Sequence, residues 1–172
     1  ERHIALTRVD DTPVPEVERF EIQATRARVV RQRYPATGAA NARVDLLIAD
    51  LAADSQLQLD LGTNPDIYVP RVDWFPDGSA ICVQRQSRDQ KTLELMRFDA
   101  LSGQGRVLLT ERSEHWVPLH RELTFLQKSK ELIWASSRDG FQHLYLYTQD
   151  GALVRQLTSG EYMVTGESPE AA

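Results

Sequence analysis

Short runs of apolar residues follow one another along this chain, and they rarely repeat with the period of a helix. The runs are rich in leucine, β-branched and aromatic residues, and turn-forming pairs such as Asp139-Gly140 and Asp150-Gly151 separate them. Closely spaced strands with such turns between them are typical of all-β proteins. The pattern therefore predicts a sandwich, a barrel or a propeller. The clearest runs are HIALTRV, VDLLIADL, SAICVQR, LELMRF, RVLLT, ELTFL, ELIWASS, HLYLYT and LVRQLT.

One hairpin is written twice in the sequence, and this repeat distinguishes among the three architectures. The tripeptide Ser-Arg-Asp occurs at residues 87–89 and again at residues 137–139, an offset of about 50 residues. Repeats of this length with four short strands are typical of propeller blades, so each tripeptide should join the second and third strands of a blade. Gly140 can supply a left-handed backbone in the second copy, but Gln90 stands at its place in the first. We therefore expect the first turn to be built differently.

The predicted fold is all-β: a partial β-propeller of about three four-stranded antiparallel blades. The blades cover residues 1–70, 71–118 and 119–165, and residues 166–172 form a frayed tail or the start of a further blade. The first blade is interrupted by residues 11–43, a polar, β-prone stretch that is too long for a hairpin loop and too apolar for a linker. Long insertions of this kind are usually lids or interaction arms, and their strand edges can pair with another chain.

Composition restricts the class of function. The 172 residues carry a net charge of −5, and this acidic balance argues against a nucleic-acid-binding module. The arginines between residues 26 and 33 have an alternating spacing that predicts the solvated face of an extended arm. Cys82 is the single cysteine, so no intrachain disulfide is possible, and its apolar surroundings predict a small buried hydrophobe. No run approaches the roughly 18 apolar residues that a membrane span needs.

The sequence predicts neither a metal ion nor a cofactor. His115 and His120 lie near Glu114 and Glu122, but their spacing does not place them on one face of a strand. The segment SGQGRV, residues 102–107, lacks the third glycine and the helix of a dinucleotide-binding motif.

Four segments of the chain are TRVDDTPVP, RYPATGAANARVDLLIADL, YVPRVDWFPDGSAICVQRQSRDQKTLELMRFD and SSRDGFQHLYLYTQDGALVRQLTSGEY. They resemble the propeller domain of bacterial dipeptidyl peptidase IV, a branch of the prolyl oligopeptidase clan. The resemblance implies an eight-bladed propeller that caps an α/β-hydrolase domain of the same chain, which carries a Ser/Asp/His triad. It also implies a secreted or periplasmic serine peptidase that releases N-terminal X-Pro or X-Ala dipeptides. Two adjacent glutamates of the propeller would hold the amino group of the peptide substrate.

Residue-by-residue transfer from the family leaves this chain without catalytic residues. The nucleophile of an α/β-hydrolase lies in a G-x-S-x-G elbow, and no serine here has that context. No Glu-Glu dipeptide occurs either, and the family's pair would precede the strand that begins at Glu1. The chain opens without an initiator methionine, so we expect an excised piece of the enzyme with no peptidase activity of its own.

By the same resemblance, two regions remain candidates for function. Residues 17–44 match the arm that family members use in dimer contacts, so we expect a homodimer through this arm. Residues 113–120 match a region that approaches the substrate cavity in relatives, where Glu114, His115 and Trp116 would line the cavity. The alternative for this region is a blade-edge loop with a core tryptophan. The arm candidates are Phe20, Ile22, Val29, Val30 and Tyr34.

Two other classes of protein remain open at this point. A non-enzymatic periplasmic propeller scaffold would share the strand and turn pattern but not the YPATGAAN insertion. The propeller of a related oligopeptidase or acylaminoacyl peptidase would share the fold. A Glu-Glu pair shortly before Glu1 and a G-x-S-x-G elbow well after Ala172 would identify the protein as a dipeptidyl peptidase and exclude these two classes.

Overall fold

The computed structural model describes residues 2–119 and 121–165, and every regular element in this part of the chain is a β-strand. The all-β prediction is therefore confirmed. No helix among the described residues is long and apolar enough to cross a membrane. The strands are β1 (His3–Asp10), β2 (Glu16–Ile22), β3 (Ala27–Arg33), β4 (Arg43–Asp50), β5 (Ser55–Gln58), β6 (Ile67–Trp74), β7 (Ala80–Ser87), β8 (Thr92–Asp99), β9 (Gly105–Arg112), β10 (Leu123–Leu126), β11 (Glu131–Ser136), β12 (His143–Thr148) and β13 (Leu153–Gln156).

Within the described residues these strands form four antiparallel sheets. Strands β6 to β9 pair in chain order, and β10 to β13 do the same, so each set is a four-stranded meander. Strands β1, β4 and β5 form a three-stranded sheet, while β2 and β3 form a separate hairpin. The chain divides into two compact units between Ile67 and Tyr68.

The two copies of the Ser-Arg-Asp segment lie in different sheets, as the repeat predicts. Residues 87–89 lead from β7 into β8, and residues 137–139 lead from β11 into β12. Each copy therefore joins the second and third strands of a four-stranded sheet. A single continuous sheet that contained both copies would have excluded a propeller.

The two repeated turns are built alike, so the expectation of a different first turn is wrong. The amide of Gln90 donates to the carbonyl of Ser87 at 2.8 Å, and the amide of Gly140 donates to that of Ser137 at 3.1 Å. Gln90 has a φ of 60° and Gly140 a φ of 101°. A left-handed backbone at a residue with a side chain costs about 1–2 kcal/mol. The Asp89 carboxylate supports the first turn by accepting a 2.6 Å hydrogen bond from Ser87 Oγ, which lowers the pKa of Asp89.

A hydrophobic core lies between the sheet β6–β9 and the sheet β10–β13. It contains Leu93 and Leu95 from β8 together with Leu132 and Trp134 from β11, all fully buried. Cys82 of β7 joins this core, which confirms the expected buried hydrophobe, and burial raises the pKa of its thiol to about 12. One sheet alone would leave these side chains in water, so each sheet requires the other.

The same two sheets also meet at the level of the backbone. Gly151 lies in the turn between β12 and β13 with a φ of 90°. A Cβ atom at this position would lie 2.3 Å from the carbonyl oxygen of Leu108 in β9, which is far inside van der Waals contact. An ion pair between Arg106 and Asp150 lies beside it. Glycine is therefore required here both by its backbone conformation and by the neighbouring strand.

In the first unit, the long insertion contains the β2–β3 hairpin, which lies between β1 and β4 in the chain. Strands β1 and β4 stay paired from His3↔Asp50 to Asp10↔Arg43 in spite of it. In each four-stranded sheet, a Ser-Arg-Asp turn joins the second strand to the third. If β5 is equivalent to the last strands of those sheets, β9 and β13, then β1 and β4 are equivalent to the second and third strands. The hairpin thus occupies the position of that turn.

Replacing Gly151 by alanine should destabilise the protein more than the same change at Gly140. Both glycines have a positive φ, so each variant should lose roughly 1–2 kcal/mol of unfolding free energy for that reason. Gly140 has open space around it, whereas Gly151 faces the Leu108 backbone, and we expect this clash to add about 1–3 kcal/mol. Chemical unfolding of the two variants measures the difference. Equal losses would contradict the contact between β9 and the β12–β13 turn.

Candidate binding cavity and interaction arm

The connection from β9 to β10 is fastened to the first Ser-Arg-Asp turn. The amide of Ser113 donates to the carbonyl of Lys91 at 3.0 Å, and the amide of Val117 donates to that of Gln90 at 2.8 Å. The side-chain amide of Gln86 donates in turn to the carbonyl of Val117 at 3.0 Å. These bonds hold the connection at the edge of the sheet where the turn lies.

A buried carboxylate links this region to the next sheet. Glu111, near the end of β9, is only 8% exposed. Its Oε1 accepts hydrogen bonds from Trp134 Nε1 at 3.2 Å and from Arg138 Nη2 at 2.5 Å. Its Oε2 accepts a third from Ser136 Oγ at 2.8 Å. All three donors belong to β11 or to the turn that follows it, so Glu111 joins β9 to the neighbouring sheet.

Arg138 is the cation that makes burial of this carboxylate tolerable. Its Nε donates to Ser136 Oγ at 2.9 Å, and its guanidinium carbon lies 4.4 Å from the centre of the Tyr145 ring. Burial alone would lower the pKa of Arg138, but the Glu111 carboxylate and Tyr147 outweigh it and raise that pKa. Burial also raises the pKa of the Tyr147 phenol. A carboxylate buried without such partners would strongly destabilise the fold.

A cavity of about 150 Å³ opens beside this network. Trp116 and Pro118 of the β9–β10 connection line it, and so do Ser137 and Gln142 from the region between β11 and β12. Two guanidinium groups and one carboxylate are also part of the lining, which therefore has a net charge of +1 and favours an anionic ligand. These charged residues are Arg112, Arg138 and Glu111.

The three residues predicted to line a substrate cavity are all exposed on this connection. Trp116 is 62% exposed and lines the cavity just described, whereas Glu114 and His115 are not in its lining. The alternative of a core tryptophan at this place is wrong, since Trp116 is exposed and the fully buried tryptophan is Trp134. His120 lies outside the described residues. Contact between these residues and a substrate stays a prediction.

Sequence reasoning did not identify Glu111, Arg112 and Arg138 as neighbours. Glu111 lies two residues after Leu109, so the strand period of two places it on the face of that buried leucine. A carboxylate on the buried face of a strand requires a cation nearby, and this pattern was the available signal. No local pattern indicates that the cation is Arg138, because Arg138 comes from another sheet.

The arm candidates divide between the two faces of the β2–β3 hairpin. Phe20 is 73% exposed, Ile22 is 86% exposed and Val29 is 51% exposed. Phe20 pairs with Val29 across the hairpin, so these two residues and Ile22 share one face. Val30 is half-buried on the opposite face, and Tyr34 is exposed just after β3. The hairpin thus presents its exposed apolar residues on one face.

The arginines of the arm find their partners within or next to the hairpin. Arg28 pairs with Glu21, and Arg31 pairs with Glu18. Arg33 donates to two main-chain carbonyl groups that precede β2. The charges of Arg28 and Arg31 are therefore compensated within the hairpin itself.

Comparison with known proteins connects nearly the whole chain to one family. The family model described as the dipeptidyl peptidase IV N-terminal region matches residues 1–170. Dipeptidyl peptidase 4 of Arthroderma otae is 25% identical over 176 residues, which cover 95% of this chain and 23% of that protein. A probable dipeptidyl peptidase 4 of Trichophyton verrucosum is 22% identical over 175 residues, with 94% and 23% covered.

Two solved structures share the fold of this chain. Porphyromonas gingivalis dipeptidyl peptidase 4 superposes with a TM-score of 0.85 at 24% identity, covering 95% of this chain and 24% of that one. A putative dipeptidyl aminopeptidase IV from Bacteroides ovatus gives a TM-score of 0.76 at 28% identity, covering 88% and 22%. The prediction of a partial propeller is confirmed. The chain spans about a quarter of the length of these relatives.

Removing the Glu111 carboxylate should destabilise the protein, because the buried donors Trp134 and Ser136 would lose their acceptor. We expect Glu111→Ala to lower the free energy of unfolding by about 2–4 kcal/mol. Glu114→Ala removes the same group from an exposed position and should change that free energy by less than about 0.5 kcal/mol. Chemical unfolding of both variants is the measurement. A loss in Glu111→Ala no larger than in this control would show that the network contributes nothing.

Proposed function

The chain belongs to the family of dipeptidyl peptidase IV N-terminal regions, and from this premise we propose that it forms part of the propeller of a serine dipeptidyl peptidase. The whole protein would release N-terminal X-Pro or X-Ala dipeptides. The match over residues 1–170 carries this proposal, and the two repeated four-stranded sheets support it. The chain itself has neither a G-x-S-x-G elbow nor a Glu-Glu pair, so other parts of the protein would supply the triad and the anchor for the amino group.

In the whole protein, the chain would act as part of a rigid wall around the path of the substrate. A shared core and the Glu111 network fasten the sheet β6–β9 to the sheet β10–β13, so this part of the wall resists opening. An opening of fixed size admits extended peptides and excludes folded proteins. This part of the propeller would pack next to an α/β-hydrolase domain of the same, longer polypeptide. Family relationship supports a location that is secreted or periplasmic.

Trp116 is the residue of this chain that we place nearest to the peptide, with Glu114 and His115 beside it. It is a large exposed aromatic side chain on a connection that hydrogen bonds hold in place. Aromatic side chains next to a cavity are frequent contacts for ligands and peptides. The three residues would touch the substrate without taking part in the chemical step.

Hydrolysis of dipeptide amides by the whole protein tests the proposed activity. Gly-Pro and Ala-Pro p-nitroanilides should be cleaved, with release of p-nitroaniline measured by absorbance, while the 172-residue chain alone should cleave neither. N-acetylated versions should resist cleavage, because two carboxylates can hold only a free, cationic amino group. Cleavage of the blocked substrates would identify an oligopeptidase instead. A whole protein that cleaved none of these substrates would refute the peptidase assignment.

We further propose that the arm binds a second copy of the same protein. The face that carries Phe20, Ile22 and Val29 is bordered by Glu18 and Arg31, which pair across the hairpin. A two-fold axis lays this face against its own equivalent, so apolar groups meet and each acidic group has a basic group to approach. Contiguous exposed apolar residues on a polar hairpin are typical of an interaction surface.

Phe20→Glu should convert a dimer of the whole protein into monomers, because it places a charge from each copy in the shared apolar contact. Leu101→Glu makes the same change at a residue that is 76% exposed between β8 and β9, and it should leave the dimer intact. Sedimentation velocity distinguishes the two states. A wild-type protein that is already monomeric, or a Phe20→Glu variant that stays dimeric, would argue against the arm as the interface.

A further inference from the structure

The cavity beside Trp116 contains a cationic group without an anionic partner. Arg112 is the last residue of β9, its side chain is exposed, and no ion pair joins it to any residue that the structure describes. Arg138, in the same lining, is paired with Glu111. The uncompensated charge of the cavity is therefore that of Arg112.

The lining also limits what can enter. A volume of about 150 Å³ suits one side chain or one end of a chain, and it is too small for a whole drug-sized ligand. Trp116 and Pro118 provide apolar surface, and Ser137 and Gln142 provide hydrogen-bonding groups. A ligand that covers the exposed indole of Trp116 would remove its apolar surface from water.

The shape of the cavity is held by bonds that exist without a ligand. Arg138 is fixed by Glu111 at 2.5 Å and by Ser136 at 2.9 Å. The opposite wall is fixed through the main-chain bonds of Ser113 and Val117 to the first Ser-Arg-Asp turn. A site organised in advance loses little entropy on binding, so even a small ligand can be retained.

From these features we propose that the cavity binds a carboxylate group of a peptide, with Arg112 as the ionic contact and Trp116 as the apolar contact. A guanidinium can hold a carboxylate through two parallel hydrogen bonds, a geometry that a neutral amide does not reproduce. That the ligand is a peptide rests on the proposed function, whereas the preference for a carboxylate rests on the charge of the cavity. The group can be an acidic side chain or the C-terminus, since both have the same chemistry.

Binding of blocked tripeptides to the whole protein tests this proposal. Acetyl-Ala-Ala-Glu amide carries a side-chain carboxylate, acetyl-Ala-Ala-Ala acid carries a terminal one, and acetyl-Ala-Ala-Gln amide is their neutral match. The acetyl group prevents recognition as a dipeptidyl peptidase substrate, so the result does not depend on the activity assay. In isothermal titration calorimetry, at least one acidic peptide should bind about tenfold more tightly than the neutral one. The acidic peptide that does so identifies the source of the carboxylate.

Three variants separate the proposed contacts from a general effect of charge. Arg112→Gln should remove the preference for acidic peptides, and Trp116→Ala should weaken all three peptides. Lys128→Gln removes the same charge from an exposed position between β10 and β11, and it should change none of the affinities. Absence of binding, equal affinity for acidic and neutral peptides, or a preference that survives Arg112→Gln would overturn the proposal. Loss of the preference in Lys128→Gln would overturn it as well.

Discussion

A four-stranded sheet is too thin to bury its apolar residues alone, and this constraint organises the second unit of the chain. The sheets β6–β9 and β10–β13 pack against each other, and side chains such as Leu95 and Trp134 are completely buried between them. The same contact brings the Gly151 turn against the backbone of β9 and requires the Glu111 carboxylate to find its donors across the boundary. Apolar burial draws the sheets together, and the steric and ionic contacts determine how they fit.

The candidate functional residues of this chain lie at the turns, the connections and the inserted hairpin, outside the buried parts of the strands. The two repeated turns and the connection from β9 to β10 meet at an edge of the second unit, and the cavity with Trp116 lies there. In the first unit, the corresponding position between two paired strands carries the β2–β3 hairpin. Segments of this kind can vary because a rigid scaffold holds their ends, and for the same reason they can carry binding groups.

The local sequence pattern was sufficient to predict the strands, the repeat and the burial of Cys82, because alternation and turn residues are properties of short segments. It failed at Gln90, where the closing hydrogen bond of the turn outweighs the preference of the left-handed region for glycine. It also left open whether Trp116 is a core residue or an exposed one, because only the packing of the strands decides which tryptophan is buried. The pairing of Glu111 with Arg138 depends on how two sheets fit together, which no local pattern contains.

The register of β1 and β4 is unbroken although a complete hairpin stands where a tight turn would suffice. The entropy of closing a loop grows only slowly with its length, and an inserted element with its own strand pairing brings its own hydrogen bonds. A turn at such a position can therefore be exchanged for a longer element with its own strand pairing, as long as the turn does not hold a neighbouring segment in the way that Gln90 and Arg138 do. A propeller built on this plan can gain new surface modules one turn at a time while the register of its strands stays the same.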